Sequence, residues 1–481
     1  MDGLECSIIN LKDVELDNEK YRFDSEFFKK EYLYSYRKIK KIQHSTISNE
    51  MKLLTDFHSN GSYKTIAENF KMYDEPNFAY MVRTTDLEID NYDLNVKYID
   101  EKAYNFLAKS KVQGGELLIN KIGSPGRTFL MPKLNRPVSL GMNLFMLSIK
   151  EGRNTNEEIL YLFLNSCFGK RIIERKINGT VPLTIDKEAI KSLYVPIFTN
   201  QFNQQLCTIV DESNHKLKMS KVKYIESEAI LNYYLKIDFD KFNNSGISLK
   251  MLKDSYLRTS RIDAEYYQVK YDELITKLKS LNSYKLGTDE GICTFKKSIE
   301  PGSDYYQDEG IPFIRVSDIS KFGIQESEIK LPYDVDDNLE RLYPKKDTIL
   351  FSKDGSIGIA YKVDKDLKVI TSGALLHLNI KDINKVLPEY LTLVLNSRLV
   401  QMQAERDSNG AVIKHWRIDE ISNVLIPVAP MEIQTDIKNK INESFRLRKE
   451  SEELIKKGIR VVEIAIEKSE DEAIKYLESG S

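Results

Sequence analysis

The chain repeats itself. Arg22-Phe-Asp-Ser-Glu-Phe-Phe28 returns as Arg261-Ile-Asp-Ala-Glu-Tyr-Tyr267, and Tyr80-Met-Val-Arg-Thr-Thr-Asp-Leu87 returns as Pro312-Phe-Ile-Arg-Val-Ser-Asp-Ile319. Ile122-Gly-Ser-Pro-Gly126 is matched by Asp354-Gly-Ser-Ile-Gly358, Asn165-Ser166 by Asn396-Ser397, Asn178-Gly179 by Asn409-Gly410, and Val195-Pro196 by Ile426-Pro427. The offsets are 239 for the first pair, then 232, 232, 231, 231 and 231. Six short matches kept in order and in register are a tandem duplication, not turn residues recurring by composition. The 481 residues must therefore fold as two copies of one design, with halves near 1–240 and 241–481.

Each half opens with short β-like runs: Phe78–Val82, Glu116–Ile119 and Asn143–Ile149, answered by Ile311–Val316, Thr348–Phe351 and Leu375–Ile380. A helix-like stretch follows, Glu157–Ile177 in the first half and Pro388–Asp407 in the second. Then Ile190–Ile197 and Ile421–Val428 read as strands closed by proline, which cannot donate to a ladder. Beyond each proline the chain turns long, charged and poor in glycine, over about 202–236 and 431–477. In the second of these, Ile441, Phe445, Arg448, Glu452, Ile455, Ile459, Val462 and Ile466 advance by alternating fours and threes, as a coiled-coil seam does. Leu206, Val210, Ser213, Leu217, Ser220, Tyr224, Ser227 and Leu231 take the same steps in the first with half the positions polar. Two such helices separated by a globular module pair most economically antiparallel. The expected fold is α+β: mixed α/β domains at 1–200 and 241–430, separated by helical regions at 201–240 and 431–481 that pack as an antiparallel coiled coil.

Several chemistries are excluded. Four cysteines (Cys6, Cys167, Cys207, Cys293) form no CxxC pair, and five histidines form no HxxxH spacing, so neither a zinc ribbon nor a disulfide framework is expected. No apolar run approaches the ~18 residues of a membrane span, and the N-terminus is acidic where a signal peptide is basic. A soluble protein of the cytoplasm is expected. There is no GxxxxGK[ST] phosphate loop, no Asn-Pro-Pro-Tyr-like or Asp-Pro-Pro-Tyr-like loop of an adenine methyltransferase, and no glycine-rich cofactor loop. Asp318, Glu328 and Lys330 have the D-x9-E-x-K spacing of a Mg-dependent nuclease, but Asp86, Val96 and Tyr98 stand in their places in the first half. Catalysis there is a minor alternative, as is a coiled-coil scaffold that never meets DNA.

The formal net charge of −2 conceals a division. Between Glu101 and Ser192, Lys and Arg exceed Asp and Glu by 15 to 8; between Arg341 and Arg417, by 13 to 8. Positive charge thus gathers in the same part of each half, beside the Gly-rich turns and the Asn-Gly loops. Phosphates need such donors, and base edges need Arg, Lys, Asn or Gln within reach. Trp416, the only tryptophan, lies here and is expected as a partly buried anchor rather than a stacking wedge. Arg83 and Arg315 are expected to pair with Asp86 and Asp318.

The order of globular unit, Val-Pro-Ile or Ile-Pro-Val, and long helix with an early glutamine (Gln204 or Gln205; Gln434), all given twice, resembles the specificity subunit of type I restriction–modification systems. Gly114–Gly126 and Lys346–Gly358 carry most of the likeness. The first half departs from the pattern by lacking the second proline that the other keeps at Pro430. The resemblance implies two target-recognition domains that each read half of a bipartite sequence in double-stranded DNA, and helices that set the spacing. It implies no catalysis and no cofactor in this chain. It also implies docking of two DNA adenine-N6 methyltransferase subunits that use S-adenosylmethionine, with optional ATP-dependent restriction subunits. By position, the DNA contacts expected are Lys121, Ser124, Arg127, Asn178 and Thr180, with Lys353, Ser356, Asn409, Lys414 and Arg417 in the second half.

Overall fold

A computed structural model describes residues 8–479 except 11–13, 15–17, 19–20, 89, 91, 93–95, 180, 240–241, 243–246, 254, 326, 328 and 409–413. The chain divides into two compact units, residues 1–216 with 449–481, and residues 217–448. The first unit contains β1 (His44–Thr46), β2 (Met51–Asp56), β3 (Ala79–Val82), β4 (Lys97–Ile99), β5 (Lys111–Val112), β6 (Leu117–Asn120), β7 (Thr128–Leu130), β8 (Val138–Leu140), β9 (Leu144–Ile149) and β10 (Tyr194–Pro196). The antiparallel sheet β2-β9-β6-β7 lies beside a mixed sheet β4-β3-β8-β5, in which β3 and β8 run parallel, and β1 pairs with β10.

The second unit contains β11 (Ser283–Lys285), β12 (Cys293–Lys297), β13 (Ile311–Ile314), β14 (Ile319–Ser320), β15 (Gly323–Ile324), β16 (Lys330–Leu331), β17 (Ile349–Ser352), β18 (Ala360–Lys362), β19 (Ile370–Thr371), β20 (Leu375–Ile380) and β21 (Leu425–Pro427). Its sheets β12-β20-β17-β18, β16-β13-β19 and β11-β21 repeat the order of the first unit, down to the parallel pair β13 and β19; β5 has no counterpart among the described residues, and β14 pairs with β15 as an added hairpin. The duplication read from short motifs is thus a duplication of topology. The central strands β6 and β17 are buried at every position, which explains their unbroken apolar runs.

Each stretch read as one helix is two. Glu157–Asn165 and Cys167–Glu174 meet at Ser166, and Pro388–Asn396 and Arg398–Asp407 meet at Ser397. Both serines are extended; the Ser166 hydroxyl accepts from the Gly169 N–H and caps the new helix, whereas the Ser397 hydroxyl donates back to the Val394 carbonyl of the helix before it. The preceding Asn165 donates to Thr128 Oγ1 at 2.7 Å and Asn396 donates to the Ala360 carbonyl at 2.8 Å, tying the break to the edge strand of the sheet.

The long helices run over Asn200–Leu235 and Met431–Glu467, and their starts keep the 231-residue offset. Without the second proline, the first is started by Thr199, whose hydroxyl accepts from the Phe202 N–H. They pair antiparallel. In the first unit Ser213 Oγ lies 2.8 Å from Ser451 Oγ and donates to the Ser451 carbonyl, while Lys216 pairs with Glu450 at 2.7 Å. In the second, Ser444 Oγ lies 3.1 Å from Ser220 Oγ and donates to the Ser220 carbonyl.

The first helix keeps its expected seam: Leu206, Val210, Ser213, Ser220, Tyr224, Ser227 and Leu231 are buried. In the second helix the expected Ile441, Arg448, Val462 and Ile466 are buried, but between them the seam runs through Ser444, Ser451 and Gly458 in place of Phe445, Glu452 and Ile459, and Glu452 is exposed. The serine hydroxyls bond to the facing backbone at these layers, while Phe445 packs at the edge of the seam near Phe322. Among the described residues no helix is long and apolar enough to cross a membrane.

Candidate nucleic-acid interface

In each unit the strand β6 or β17 runs into a Gly-rich turn, held by one polar side chain at its base. Asn120 donates to the Ile122 carbonyl at 3.2 Å and the Ser124 carbonyl at 2.9 Å. Ser352, its counterpart, donates to the Ser356 carbonyl at 2.6 Å and accepts from the Ile359 N–H. The turn closes on glycines in the left-handed region: Gly126 has φ 86° and Gly358 φ 80°. A Cβ on Gly126 would overlap the side chain of Ile173, so the turn lies directly on the second helix of the broken pair.

The segment that follows that helix comes back onto the turn. Gly123 N–H donates to the Leu183 carbonyl and Ile185 N–H to the Lys121 carbonyl, both at 3.1 Å, while Asn178 and Thr184 exchange backbone bonds. The second unit repeats this at equivalent positions. Gly355 N–H donates to the Lys414 carbonyl at 2.9 Å and Trp416 N–H to the Lys353 carbonyl at 2.8 Å. Two segments more than 50 residues apart in sequence thus form one surface, twice.

The expected contact residues fall on this surface with different exposures. Lys121 is 13 % exposed, its ammonium 2.7 Å from Asp56 Oδ2, and Lys353 is 17 % exposed and paired with Asp354. Arg127, half exposed, pairs with Glu88, and Arg417, 60 % exposed, pairs with Glu420 at 2.7 Å. Ser356 and Lys414 are exposed, Ser124 is partly so, and Asn178 is held by its backbone bonds to Thr184. Thr180 and Asn409 lie outside the described residues. Trp416 is fully buried against Phe351, an anchor of the core. Arg83 pairs with Asp86 at 2.6 Å and Arg315 with Asp318 at 3.4 Å, as expected.

Of the nuclease-like set, Asp318 also accepts from the Arg315 N–H and Ser317, Lys330 lies in the β13–β16 ladder, and Glu328 lies outside the described residues.

Sequence reasoning missed one group. Asp56 binds Lys121 with one oxygen and Lys187 with the other, each at 2.7 Å, and Ser59 donates to it at 2.6 Å. With His58 and Phe145 they line a cavity of about 490 Å³ beside the turn of the first unit. Burial works against the Asp56 anion, but the hydrogen bonds from Lys121, Lys187 and Ser59 outweigh it and hold the carboxyl well below the usual range. Burial, and then the charge of Lys121, lowers the pKa of His58. Lys121 and Lys187 are 66 positions apart, so no local pattern could have joined them.

The family model of the type I restriction modification DNA specificity domain matches residues 284–459. The match covers less than half of the chain and lies mostly in the second unit. The match starts in β11 and runs into the second long helix, so the matched segment takes in the second unit's turn, its returning segment and the seam serines Ser444 and Ser451.

No curated protein matches the chain significantly. Among solved structures, it is similar to the S subunit of a type I restriction–modification system from M. genitalium, at 14 % identity over 90 % of this chain and 95 % of that one, with a TM-score of 0.34. The HsdS subunit from Thermoanaerobacter tengcongensis aligns at 11 % identity over 89 % and 97 % of the two chains, with a TM-score of 0.28.

Proposed function

We propose that this chain is the non-catalytic DNA-recognition subunit of a type I restriction–modification complex, reading a bipartite duplex target with one specificity domain per half. The supporting observation is the turn-and-returning-segment surface, built twice from the same backbone bonds and carried in its second copy by a matched specificity domain. A two-part target needs two copies of one reader and a fixed distance between them. On this reading, residues 1–200 and 241–430 are the target-recognition domains and 201–240 and 431–481 the spacer.

Arg127, Ser356, Lys414 and Arg417 present the exposed donors, and Lys121 and Lys353 brace the turns from beneath, through their ion pairs. Ser124, Asn178, Thr180 and Asn409 complete the proposed contact set. Two adenine-N6 methyltransferase subunits, carrying S-adenosylmethionine, would supply the chemistry, and restriction subunits would be optional.

The test is duplex binding by the chain with its methyltransferase partner, titrated with salt. A steep loss of affinity with rising salt is expected from phosphate contacts. Absence of any salt-dependent binding, with and without the partner, would leave a scaffold. Plasmid cleavage by the purified chain in Mg²⁺, abolished by Glu328→Ala, would establish the nuclease instead.

A further inference from the structure

The first motif of the duplication, Arg-x-Asp-x-Glu-aromatic-aromatic, has so far had no task. In the first unit, Arg22 holds Asp24 through Nε and Nη2, both at 2.7 Å. That two-pronged grip fixes the plane of the guanidinium and leaves Nη1 aimed elsewhere. It donates to the Ile177 carbonyl at 2.8 Å and the Arg175 carbonyl at 3.2 Å, at the end of the helix Cys167–Glu174 and the root of the Asn178 segment. Asp24 is itself set by the Phe27 N–H, and the Arg22 guanidinium lies 5.0 Å from the Phe27 ring centre.

The second unit does the same with its own residues. Arg261 holds Asp263 through Nε at 2.8 Å and Nη2 at 2.6 Å, and Nη1 donates to the Asp407 carbonyl at 2.9 Å. Asp407 ends the helix Arg398–Asp407, directly before the Asn409 segment. Asp263 accepts from the Tyr266 N–H, and Arg261 lies 4.5 Å from the Tyr266 ring centre. The arginines are 18 % and 15 % exposed, too covered for a surface contact.

We infer that Arg22 and Arg261 are positioning residues that pin the start of each returning segment, so that it lies on its Gly-rich turn in the conformation that reads DNA. The last carbonyls of a helix lack partners within it and carry partial negative charge, which a guanidinium satisfies and orients. Lysine, a single point charge, cannot grip the carboxylate and the carbonyls together. The inference rests on the proposed reading of the turn surface as the DNA interface, and it assigns one arginine to each half-site.

The experiment uses the full chain with its methyltransferase partner, and duplexes carrying the bipartite sequence found by methylome sequencing, with one or the other half scrambled. Arg22→Lys and Arg22→Ala are both expected to speed amide exchange at Thr184 and Ile185 by about tenfold or more. Both should weaken discrimination at one half-site by about tenfold, the scale of one lost base contact. Arg261→Lys should do the same at Trp416 and the other half-site. Exchange at Leu147 in β9 should stay as it was, which separates loosening of the segment from unfolding.

Unchanged exchange at Thr184 and Ile185, or an Arg22→Lys chain that behaves as the wild type, overturns the anchor. Faster exchange with both half-sites still discriminated as before overturns the reading of this surface as the DNA interface.

Discussion

At position 377 the second unit carries a histidine where the first, 231 positions earlier, has Met146. Both are buried in the middle strand of the main sheet, and His377 Nε2 lies 2.8 Å from Thr371 Oγ1. Burial, helped by the nearby charge of Lys296, lowers its pKa to about 4. The unfolded imidazole takes up a proton near pH 6.5, so between about 6.5 and 4 the unfolded chain binds more protons than the folded one. Stability of this unit is therefore full above pH 6.5 and falls as the pH drops towards 4, by about 3 kcal/mol for an otherwise unchanged fold. His377→Met should flatten that slope in denaturant titrations at neutral and mildly acid pH. An unaltered slope would place its origin elsewhere.

Asp56 belongs to the same scale. The lysine at 121 was visible as a positive charge beside a turn, but its partner is 65 positions away on another strand, and only packing brings them together. Asp56→Asn should free both lysines at the cost of a buried, charge-paired acceptor, lowering the stability of the first unit by roughly 3 kcal/mol in chemical denaturation. A change below ~1 kcal/mol would show the group to be loosely held.

The elements were legible to different depths. The central strands followed from apolar runs, which are local signals, whereas the runs over 190–197 and 421–428 begin in short helices and are extended only at Tyr194–Pro196 and Leu425–Pro427. The single helix expected over 157–177 failed on one residue, because a serine can extend the chain and cap a new helix with nothing in the apolar pattern to mark it. The long helices were legible as helices, and the seam of the second was legible at Ile441, Arg448, Val462 and Ile466 but not at the layers between. Apolar periodicity favoured Phe445, whereas the helices meet through Ser444 and Ser451, whose hydroxyls bond across to Ser220 and Ser213. The two seams predict opposite costs. Ser444→Leu overfills a close layer and should destabilise by about 1–3 kcal/mol, whereas Glu452→Ala should stay within ~0.5 kcal/mol. The reverse order in urea titrations would restore the seam through Glu452.

For the whole molecule, the consequence of duplication is modularity. On the proposed function, replacing residues 50–200 with the same segment of a related chain should change one half-site of the methylated sequence and leave the other. A methylome with both halves altered would refute modular reading. Inserting seven residues into each long helix adds about 10 Å of helix, so the unmodified spacer between half-sites should lengthen by roughly two to three base pairs. An unchanged spacer would show that the helices do not set it.

The sequence by itself determined that there are two copies, the central strands and long helices of each, and the Gly-rich turn of each unit. It could do so because periodicity, capping and turn chemistry act over a few residues, and because each copy corroborates the other. The tertiary structure decided which charges are spent in ion pairs, which face of the long helix is the seam, and that the Arg-x-Asp motif grips a helix end some 150 positions away. Those are contacts between distant segments. Their partners are chosen by packing, and packing leaves no regular trace along the chain.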